Sequence, residues 1–202
     1  MLLGGLVRAE PKRQEYLETM DAETDRLVRL VDNVLDFSRL ERRNPRLNLS
    51  AHGVEELIAP VVAAWAFRCT QAGKKLEFDN DVPADALVRT DSVLMVQVLG
   101  NLIDNACKYS RDAADPTIRL RVRRDGKRLL FEVEDRGPGI PVGERRTIFR
   151  PFRRGREADA TTGGVGLGLA LASRWTRLLG GRLTLESPVA GGACFRVELA
   201  AE

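Results

Sequence analysis

Two asparagines and a lysine at helical spacing form the first group of residues that could do chemistry. Residues 101–109 read NLIDNACKY, and a helix would place Asn101, Asn105 and Lys108 on one face. An amide oxygen is a hard ligand suited to Mg²⁺, and a lysine can offset the charge of a phosphate. The group therefore indicates a metal and phosphate site or, as the alternative, side chains that secure a neighbouring loop.

A second group follows a predicted strand. Residues 135–140 read DRGPGI, in which Gly137 and Gly139 permit positive φ and a close approach of the backbone to a ligand. Asp135 can accept a hydrogen bond from an exocyclic amine. Taken alone, the segment could equally be an ordinary turn.

A glycine-rich segment, GGVGLGL over residues 163–169, opens a predicted helix. The free N–H groups and the dipole at such a helix start form an anion site, and phosphate is the expected anion. The segment is superficially similar to a dinucleotide fingerprint, but no predicted strand precedes it, and the sequence has no P-loop pattern. Each group is weak evidence by itself, whereas the three in this order and spacing are strong evidence.

Helices and strands in a mixed order must position these groups. The patterning predicts helices over 54–72, from an N-cap at Asp91 to about Tyr109, and over 167–179. Asp125-Gly126 is the expected turn of a hairpin. The predicted strands are 46–50, 76–80, 87–90, 118–124, 129–134, 182–186 and 194–199. Because hairpins are mixed with helices, we expect an α+β fold and not a simple parallel sheet.

The first forty residues have a different pattern. Residues 11–41 contain no glycine and no internal proline, and Pro11 suits the first turn of a helix. Apolar or small side chains recur in two rows, a heptad row of Leu17, Met20, Thr24, Leu27, Val31, Val34 and Ser38 and a second row of Leu30, Phe37 and Leu40. Residues 1–7 look like the last turns of a preceding helix. The pattern predicts half of a dimerising helical hairpin or, alternatively, a surface helix packed on the following domain.

The composition narrows the class of protein. The 202 residues carry 32 basic and 29 acidic side chains, and this net charge of +3 gives no support for nucleic-acid binding. The 3 separated cysteines, without a Cys/His cluster, argue against a disulfide framework or a zinc site and favour a reducing cytoplasm. No signal peptide and no membrane span is expected. The chain could still be the cytoplasmic part of a membrane-bound sensor.

Four ordered motifs resemble those of sensor histidine kinases, whose ATP-binding domain has the Bergerat (GHKL) fold, a two-layer α/β sandwich. The three groups above are similar to that family's N box, G1 box and G2 box, and IFRPFRRG at 148–155 is similar to its F box. The second helix of the family's dimerisation hairpin is similar to residues 11–41, including LDFSRLE at 35–41. The resemblance covers nearly the whole chain. It implies a partial hairpin over residues 1–43 and a catalytic domain over 44–202.

The resemblance also implies ATP and Mg²⁺ as cofactors and a role for each matching residue. Asn105 would hold Mg²⁺ with support from Asn101, and Lys108 would contact phosphate. Asp135 would accept a hydrogen bond from the adenine amino group. A mobile ATP lid would span roughly 143–165. The remaining implied nucleotide-binding residues are Tyr109, Gly137, Gly139, Ile140, Phe149, Phe152, Arg154, Gly164, Val165, Gly166, Leu167 and Gly168.

In this family the γ-phosphoryl group of ATP passes to a histidine in an H box on the first hairpin helix. The only histidine here, His52, is expected in a surface loop and not at the acceptor position. We therefore expect the chain to begin after the H box, as a fragment or as a naturally shortened protein. The implied partners are a second copy joined through the hairpin and a response regulator receiver domain, without nucleic acid or membrane contact.

Three functions remain open at this point. The first is a histidine kinase catalytic domain. The second is an ATP hydrolase of the same superfold, which would need a water-activating glutamate where this chain has Asn101, and an amide is no base at neutral pH. The third is a nucleotide-binding interaction module that transfers nothing.

Overall fold

The computed structural model describes residues 46–153, 166–188 and 191–202, together with separate positions between 12 and 35. It divides into two compact units, Met1–Arg43 and Asn44–Glu202. The predictions for residues 1–11 lie outside the described residues. The same holds for five members of the two apolar rows: Leu30, Val34, Phe37, Ser38 and Leu40.

All described positions of the first unit are helical. Four large members of the heptad row, Leu17, Met20, Leu27 and Val31, are between 47% and 59% exposed in the single chain. The fifth described member, Thr24, donates a hydrogen bond from Oγ1 to the carbonyl of Met20 (2.7 Å). Apolar side chains repeated on one side of a helix and left in water form a surface suited to another helix.

A five-stranded mixed sheet forms the centre of the second unit. The spatial order of its strands is β2 (Lys75–Asp81), β4 (Thr117–Asp125), β5 (Arg128–Glu134), β7 (Cys194–Ala200) and β6 (Arg182–Glu186). The β2 and β4 strands are parallel, and the other neighbours are antiparallel. A separate antiparallel pair consists of β1 (Ser50–Gly53) and β3 (Leu87–Thr90).

Three helices cover one face of this sheet: α1 (Val54–Gln71), α2 (Ser92–Tyr109) and α3 (Gly168–Leu178). Helix α2 lies between the other two and contacts β4 and β5, while α1 contacts β2 and α3 contacts β6. Alternate residues of β4 are buried beneath the helices, namely Ile118, Leu120 and Val122. This period of two in β4 matches a sheet with one buried face and one open face. The layer of helices on a mixed sheet confirms the expected α+β class.

The open face of the sheet is charged. Glu132 on β5 accepts hydrogen bonds from Arg123 on β4 (2.9 Å) and from Arg196 on β7 (2.7 Å). Burial raises the pKa of Glu132, but the hydrogen bonds and charges of the two arginines outweigh burial and hold that pKa below its ordinary value. Ion pairs therefore occupy this face of the sheet.

The three predicted helices agree with α1, α2 and α3 to within one residue at each end. Asp91 is the N-cap of α2, as predicted. The β4–β5 turn consists of Gly126 and Lys127, one residue later than expected, because Asp125 already pairs with Arg128. None of the helices that the structure describes is long and apolar enough to cross a membrane.

The prediction of a strand over 46–50 is wrong. Residues 46–49 have no regular structure, and β1 begins at Ser50, where its pairing with Thr90 of β3 begins. The N–H of Asn48 instead donates to Asp91 (2.9 Å). We expected His52 in a surface loop, and this prediction is also wrong. His52 lies within β1 opposite Val88, and its side chain is mostly covered.

Candidate functional site

Helix α2 carries the first predicted group, and a side-chain cap fixes where the helix begins. Asp91 Oδ1 accepts hydrogen bonds from two backbone N–H groups of the first turn, at 3.1 and 3.2 Å. One side of the helix is buried on the sheet. Asn101, Asn105 and Lys108 are each partly exposed, so all three remain accessible to a ligand.

The first group meets the glycine-rich segment at the start of α3. A Cβ on Gly168 would lie 3.2 Å from Asn101 Oδ1, so the amide lies directly against the glycine. Gly168 is the first residue of α3, and no side chain among the described residues caps this helix start. The N–H groups of the first turn therefore lie near a side-chain amide, an arrangement that suits an anion.

One helical turn after Asn101, the amide of Asn105 carries a buried nitrogen without a partner. Its Nδ2 makes no hydrogen bond among the described residues. A buried polar group left in this state costs about 1–3 kcal/mol. Such a group indicates a ligand contact, and the amide can also offer an oxygen, the donor type that Mg²⁺ prefers.

The ammonium of Lys108 pairs with Asp104, four residues earlier on the same helix. Both side chains are partly exposed, at 33% and 25%. Pairs of this kind on a helix surface contribute only about 0.3–0.5 kcal/mol. Lys108 can therefore change partner at small cost when a more strongly charged group is near.

Asp135, in the second group, directly follows β5 and is buried. Its Oδ1 accepts a hydrogen bond from the N–H of Gly137 (2.8 Å), and its own N–H donates to the carbonyl of Ala193 (2.9 Å). Burial raises the pKa of Asp135, while the backbone hydrogen bonds act in the opposite direction. A further N–H donor would therefore stabilise the ionised carboxylate.

Glycines let the chain around Asp135 pack backbone against backbone. A Cβ on Gly137 would be 2.7 Å from the carbonyl oxygen of Tyr109, and one on Gly139, which has φ +77°, would be 2.8 Å from that of Gly192. Gly192 has φ +85°, and a Cβ there would overlap the carbonyl oxygen of Asp135. No role was predicted for Gly192 from the sequence, although the Gly191-Gly192 pair between two strands is a visible signal of close packing.

The F box joins the core to the glycine-rich segment. Phe149 packs edge-on against Phe195 of β7, with 6.3 Å between ring centroids. Phe152 is 61% exposed and has φ +60°, and its N–H donates to the carbonyl of Gly166 (2.9 Å). A Cβ on Gly166 would lie 2.6 Å from the carbonyl oxygen of Arg153. The two motifs therefore touch through their backbones.

Lys74, which the sequence analysis did not single out, is buried beside the end of α2. Its ammonium donates to the carbonyl oxygens of Ser110 and Arg111, the latter at 3.3 Å. A positive charge at the carboxyl end of a helix is favourable. No local signal marks this lysine, because in sequence it resembles any lysine that follows a glycine turn.

Some predicted residues are not brought into these contacts. Tyr109 contributes its backbone to the packing, while the residue is 44% exposed. The carbonyl of Ile140 accepts from Arg145 Nε (3.1 Å), and Leu167 is buried ahead of α3. Three further predicted site residues lie outside the described residues: Arg154, Gly164 and Val165. So do residues 154–165 of the expected lid.

The family model described as histidine kinase-, DNA gyrase B-, and HSP90-like ATPase matches residues 90–202, more than half of the chain. The chain belongs to this family. A second model, the His Kinase A (phospho-acceptor) domain, matches residues 1–43. The two matches confirm the resemblance to sensor histidine kinases, with a GHKL-type ATP-binding domain.

The chain is also similar to sensor proteins and to a solved structure of this family. The chain is 32% identical to the alginate biosynthesis sensor protein KinB of Pseudomonas aeruginosa, over 93% of this chain and 30% of that protein. It is 36% identical to the sensor protein KdpD of Escherichia coli, over 95% of this chain and 20% of that protein. The crystal structure of full-length ShkA in complex with AMPPNP superposes with a TM-score of 0.75 at 27% identity, over 98% of this chain and 40% of that one. The chain therefore spans less than half of the length of each of these proteins.

Proposed function

We propose that this ATPase-family chain binds Mg-ATP and transfers the γ-phosphoryl group to a histidine on a dimerisation hairpin, for relay to a response regulator. The observation that carries the proposal is the contact between Asn101 and Gly168, one turn from the buried amide nitrogen of Asn105, which has no partner among the described residues. This junction of α2 and α3 offers an amide and a helix start that no described side chain caps, and the ammonium of Lys108 lies further along α2. Those are the groups that a chain of phosphates needs.

The adenine base would bind beside Asp135. The hydrogen bond from Gly137 holds the carboxylate in one orientation, and burial excludes competing water. The adenine amino group would supply the further donor that this carboxylate lacks in a buried site. A backbone packed as closely as that around Gly137 and Gly139 orients the base without side-chain rearrangement.

The phosphates would bind at the start of α3. The amide of Asn105 fits Mg²⁺ because it offers a hard oxygen donor and its nitrogen has no partner among the described residues. The ion, when bound, supplies positive charge that offsets the charge on the phosphate oxygens. Asn101 would orient the same phosphates, and Lys108 would exchange Asp104 for a phosphate oxygen.

Two features favour phosphoryl transfer over hydrolysis. Transfer between positioned groups requires orientation and charge stabilisation more than a protein base. The residue one turn before Asn105 is Asn101, whose amide does not activate water at neutral pH.

His52 lies in β1, within 3.7 Å of Glu56, and is not part of a helical hairpin. The acceptor histidine in this proposal therefore comes from another segment or another chain.

We also propose that residues 1–43 form the partial hairpin and residues 44–202 the catalytic domain, in a homodimer located in the cytoplasm. The phospho-acceptor family match over residues 1–43 and the exposed Leu17, Met20, Leu27 and Val31 support dimerisation through this helix. Light scattering at increasing protein concentration tests the oligomeric state. A mass that stays at that of one chain would argue against a homodimer.

The function is tested with γ-labelled Mg-ATP and an added hairpin that carries an acceptor histidine. We expect label on the histidine, and we expect Asn105→Ala to lower the rate at least about a hundredfold, as when a charge-stabilising group is lost. Asn80→Ala, on β2 and away from α2, is the matched control and should keep the normal rate.

Each other result points to a different function. A normal transfer rate with Asn105→Ala would refute the role of this residue. Rapid release of free phosphate, with unlabelled protein, would support the ATP hydrolase. Bound nucleotide with neither release nor transfer would support the interaction module.

A further inference from the structure

Two thiols face each other between α1 and α2, outside the residues assigned to the nucleotide. Cys69 lies in the last turn of α1 and Cys107 in the last turn of α2. Their Sγ atoms are 3.5 Å apart, and no disulfide joins them. Cys69 is fully buried, whereas Cys107 is partly exposed. A small oxidant therefore has access to the pair through Cys107.

The hydrogen bond between the thiols favours loss of one proton from the pair. The hydrogen bond to Cys107 lowers the pKa of Cys69, although burial opposes the shift. Loss of one proton leaves a thiolate bonded to a thiol, and the thiolate is the form that oxidants attack.

Cys107 is also part of the nucleotide-site helix, since it lies between Asn105 and Lys108. The end of this helix is held on both sides. On one side, the ammonium of Lys74 donates to the carbonyl of Ser110. On the other, the carbonyl oxygen of Tyr109 packs so closely against Gly137 that a Cβ on Gly137 would lie only 2.7 Å from it. Formation of an S–S bond of about 2.05 Å would bring the two sulfurs closer by about 1.5 Å. Where part of this movement is taken up at Cys107, we expect the end of α2 to shift relative to both contacts.

We propose that Cys69 and Cys107 form a reversible disulfide in the presence of a peroxide, and that this disulfide weakens nucleotide binding. The effect on binding rests on the function proposed above. Cys107 passes its proton along the hydrogen bond to Cys69, and the Cys107 sulfur attacks one peroxide oxygen. The O–O bond breaks, Cys107 becomes a sulfenic acid, and the hydroxide that leaves takes up the proton from Cys69. The Cys69 thiolate then attacks the Cys107 sulfur, the S–O bond breaks, and a second hydroxide leaves as water. The two thiols are oxidised to one disulfide, and one peroxide is reduced to two waters.

The disulfide is tested directly on the reduced full chain. After treatment with hydrogen peroxide and unfolding, the remaining thiols are alkylated and the peptides are mapped by mass spectrometry. We expect a cross-link between Cys69 and Cys107, an alkylated Cys194, and loss of the cross-link after treatment with dithiothreitol. Cys194→Ala should keep the cross-link, and Cys107→Ala should abolish it. Alkylated Cys69 and Cys107 after peroxide, or irreversible oxidation of Cys107 alone, would overturn the proposal.

The effect on the site is measured by titration with a fluorescent ATP analogue in the Cys194→Ala background. We expect the affinity to fall about tenfold after peroxide and to recover after reduction, with no change in Cys107→Ala. A mapped cross-link with unchanged affinity would refute the coupling to nucleotide. A reduced chain that binds no nucleotide would instead refute the proposed function, while the peptide map would still decide whether the disulfide forms.

Discussion

At the end of the candidate site that we propose for adenine, backbone packs directly against backbone. At the end that we propose for the phosphates, polar side chains lie beside a helix start. Gly192 and Gly137 touch the carbonyl groups of Asp135 and Tyr109, with no space for a side chain. At the other end, Asn105 has a buried nitrogen without a partner among the described residues, and Lys108 pairs with Asp104 on its own helix.

Folding alone completes the backbone contacts at the first end, whereas the polar groups at the second end would gain their partners only from a ligand. Backbone contacts at the adenine end form with the fold, so a change there acts first on stability. At the phosphate end the polar groups are weakly held or unpaired, and an anion and a cation would satisfy them. Substitutions at that end should therefore change affinity and leave the free energy of unfolding nearly unchanged.

The largest effect is expected for Gly192→Ala. The new Cβ would overlap the carbonyl oxygen of Asp135 at a φ of +85°, so the backbone on both sides must move. We expect a loss of about 4 kcal/mol in the free energy of unfolding, measured by urea denaturation, together with loss of nucleotide binding. Gly191→Ala is the matched control, since φ is +86° but no described atom beyond its chain neighbours would lie within 4 Å of the new Cβ. It should cost only about 1–2 kcal/mol of backbone strain. Equal losses for both would contradict the close packing.

Asp135→Asn should separate binding from stability. Replacing the carboxylate removes a charged acceptor for the adenine amine, and we expect ATP affinity to fall about thirtyfold. Because burial raises the pKa of Asp135 in the fold, ionisation at neutral pH costs stability, and the variant should unfold at a higher temperature than the unmodified chain.

The sign of this stability change can be checked with pH. The gain from Asp135→Asn should be full above the raised folded-state pKa of Asp135. It should shrink as pH falls from that value towards the ordinary pKa of an aspartate, where both states become protonated. Thermal unfolding across this window measures it. A stability gain that grows on acidification would show that the pKa is lowered and not raised.

A smaller effect is expected for Lys108→Met, confined to the phosphate end. Loss of one ammonium beside the phosphates should lower ATP affinity about tenfold and leave the affinity for adenosine unchanged. Lys127→Met, in the exposed β4–β5 turn, is the matched control and should change neither. Equal losses for ATP and adenosine would place Lys108 in general packing and not at the phosphates.

The smallest effect is expected for Asp104→Asn. This change releases Lys108 from its helical partner, and the pair contributes only about 0.3–0.5 kcal/mol. We expect ATP affinity to rise no more than about twofold, with a weaker effect at high salt. Isothermal titration at two salt concentrations measures it. A marked loss of affinity would instead assign Asp104 a direct role in binding.

Regular elements and motifs were predictable from the sequence because their signals are local. Side chains within one or two turns specify the cap at Asp91 and the ends of α1, α2 and α3. The start of β1 was mispredicted because an alternating pattern at 46–50 is not sufficient for a strand. A strand also needs a partner, and β3 pairs only from Ser50 onward.

By itself, the sequence determined the α+β class, the family, and the order of the four motifs along the chain. Only the tertiary structure decided that Asn101 touches Gly168, that Gly192 closes over Asp135, and that Cys69 meets Cys107. The physical reason is distance along the chain. Residues 38 to 67 positions apart come together through the packing of the whole sheet and its helices, and no short-range pattern encodes that approach.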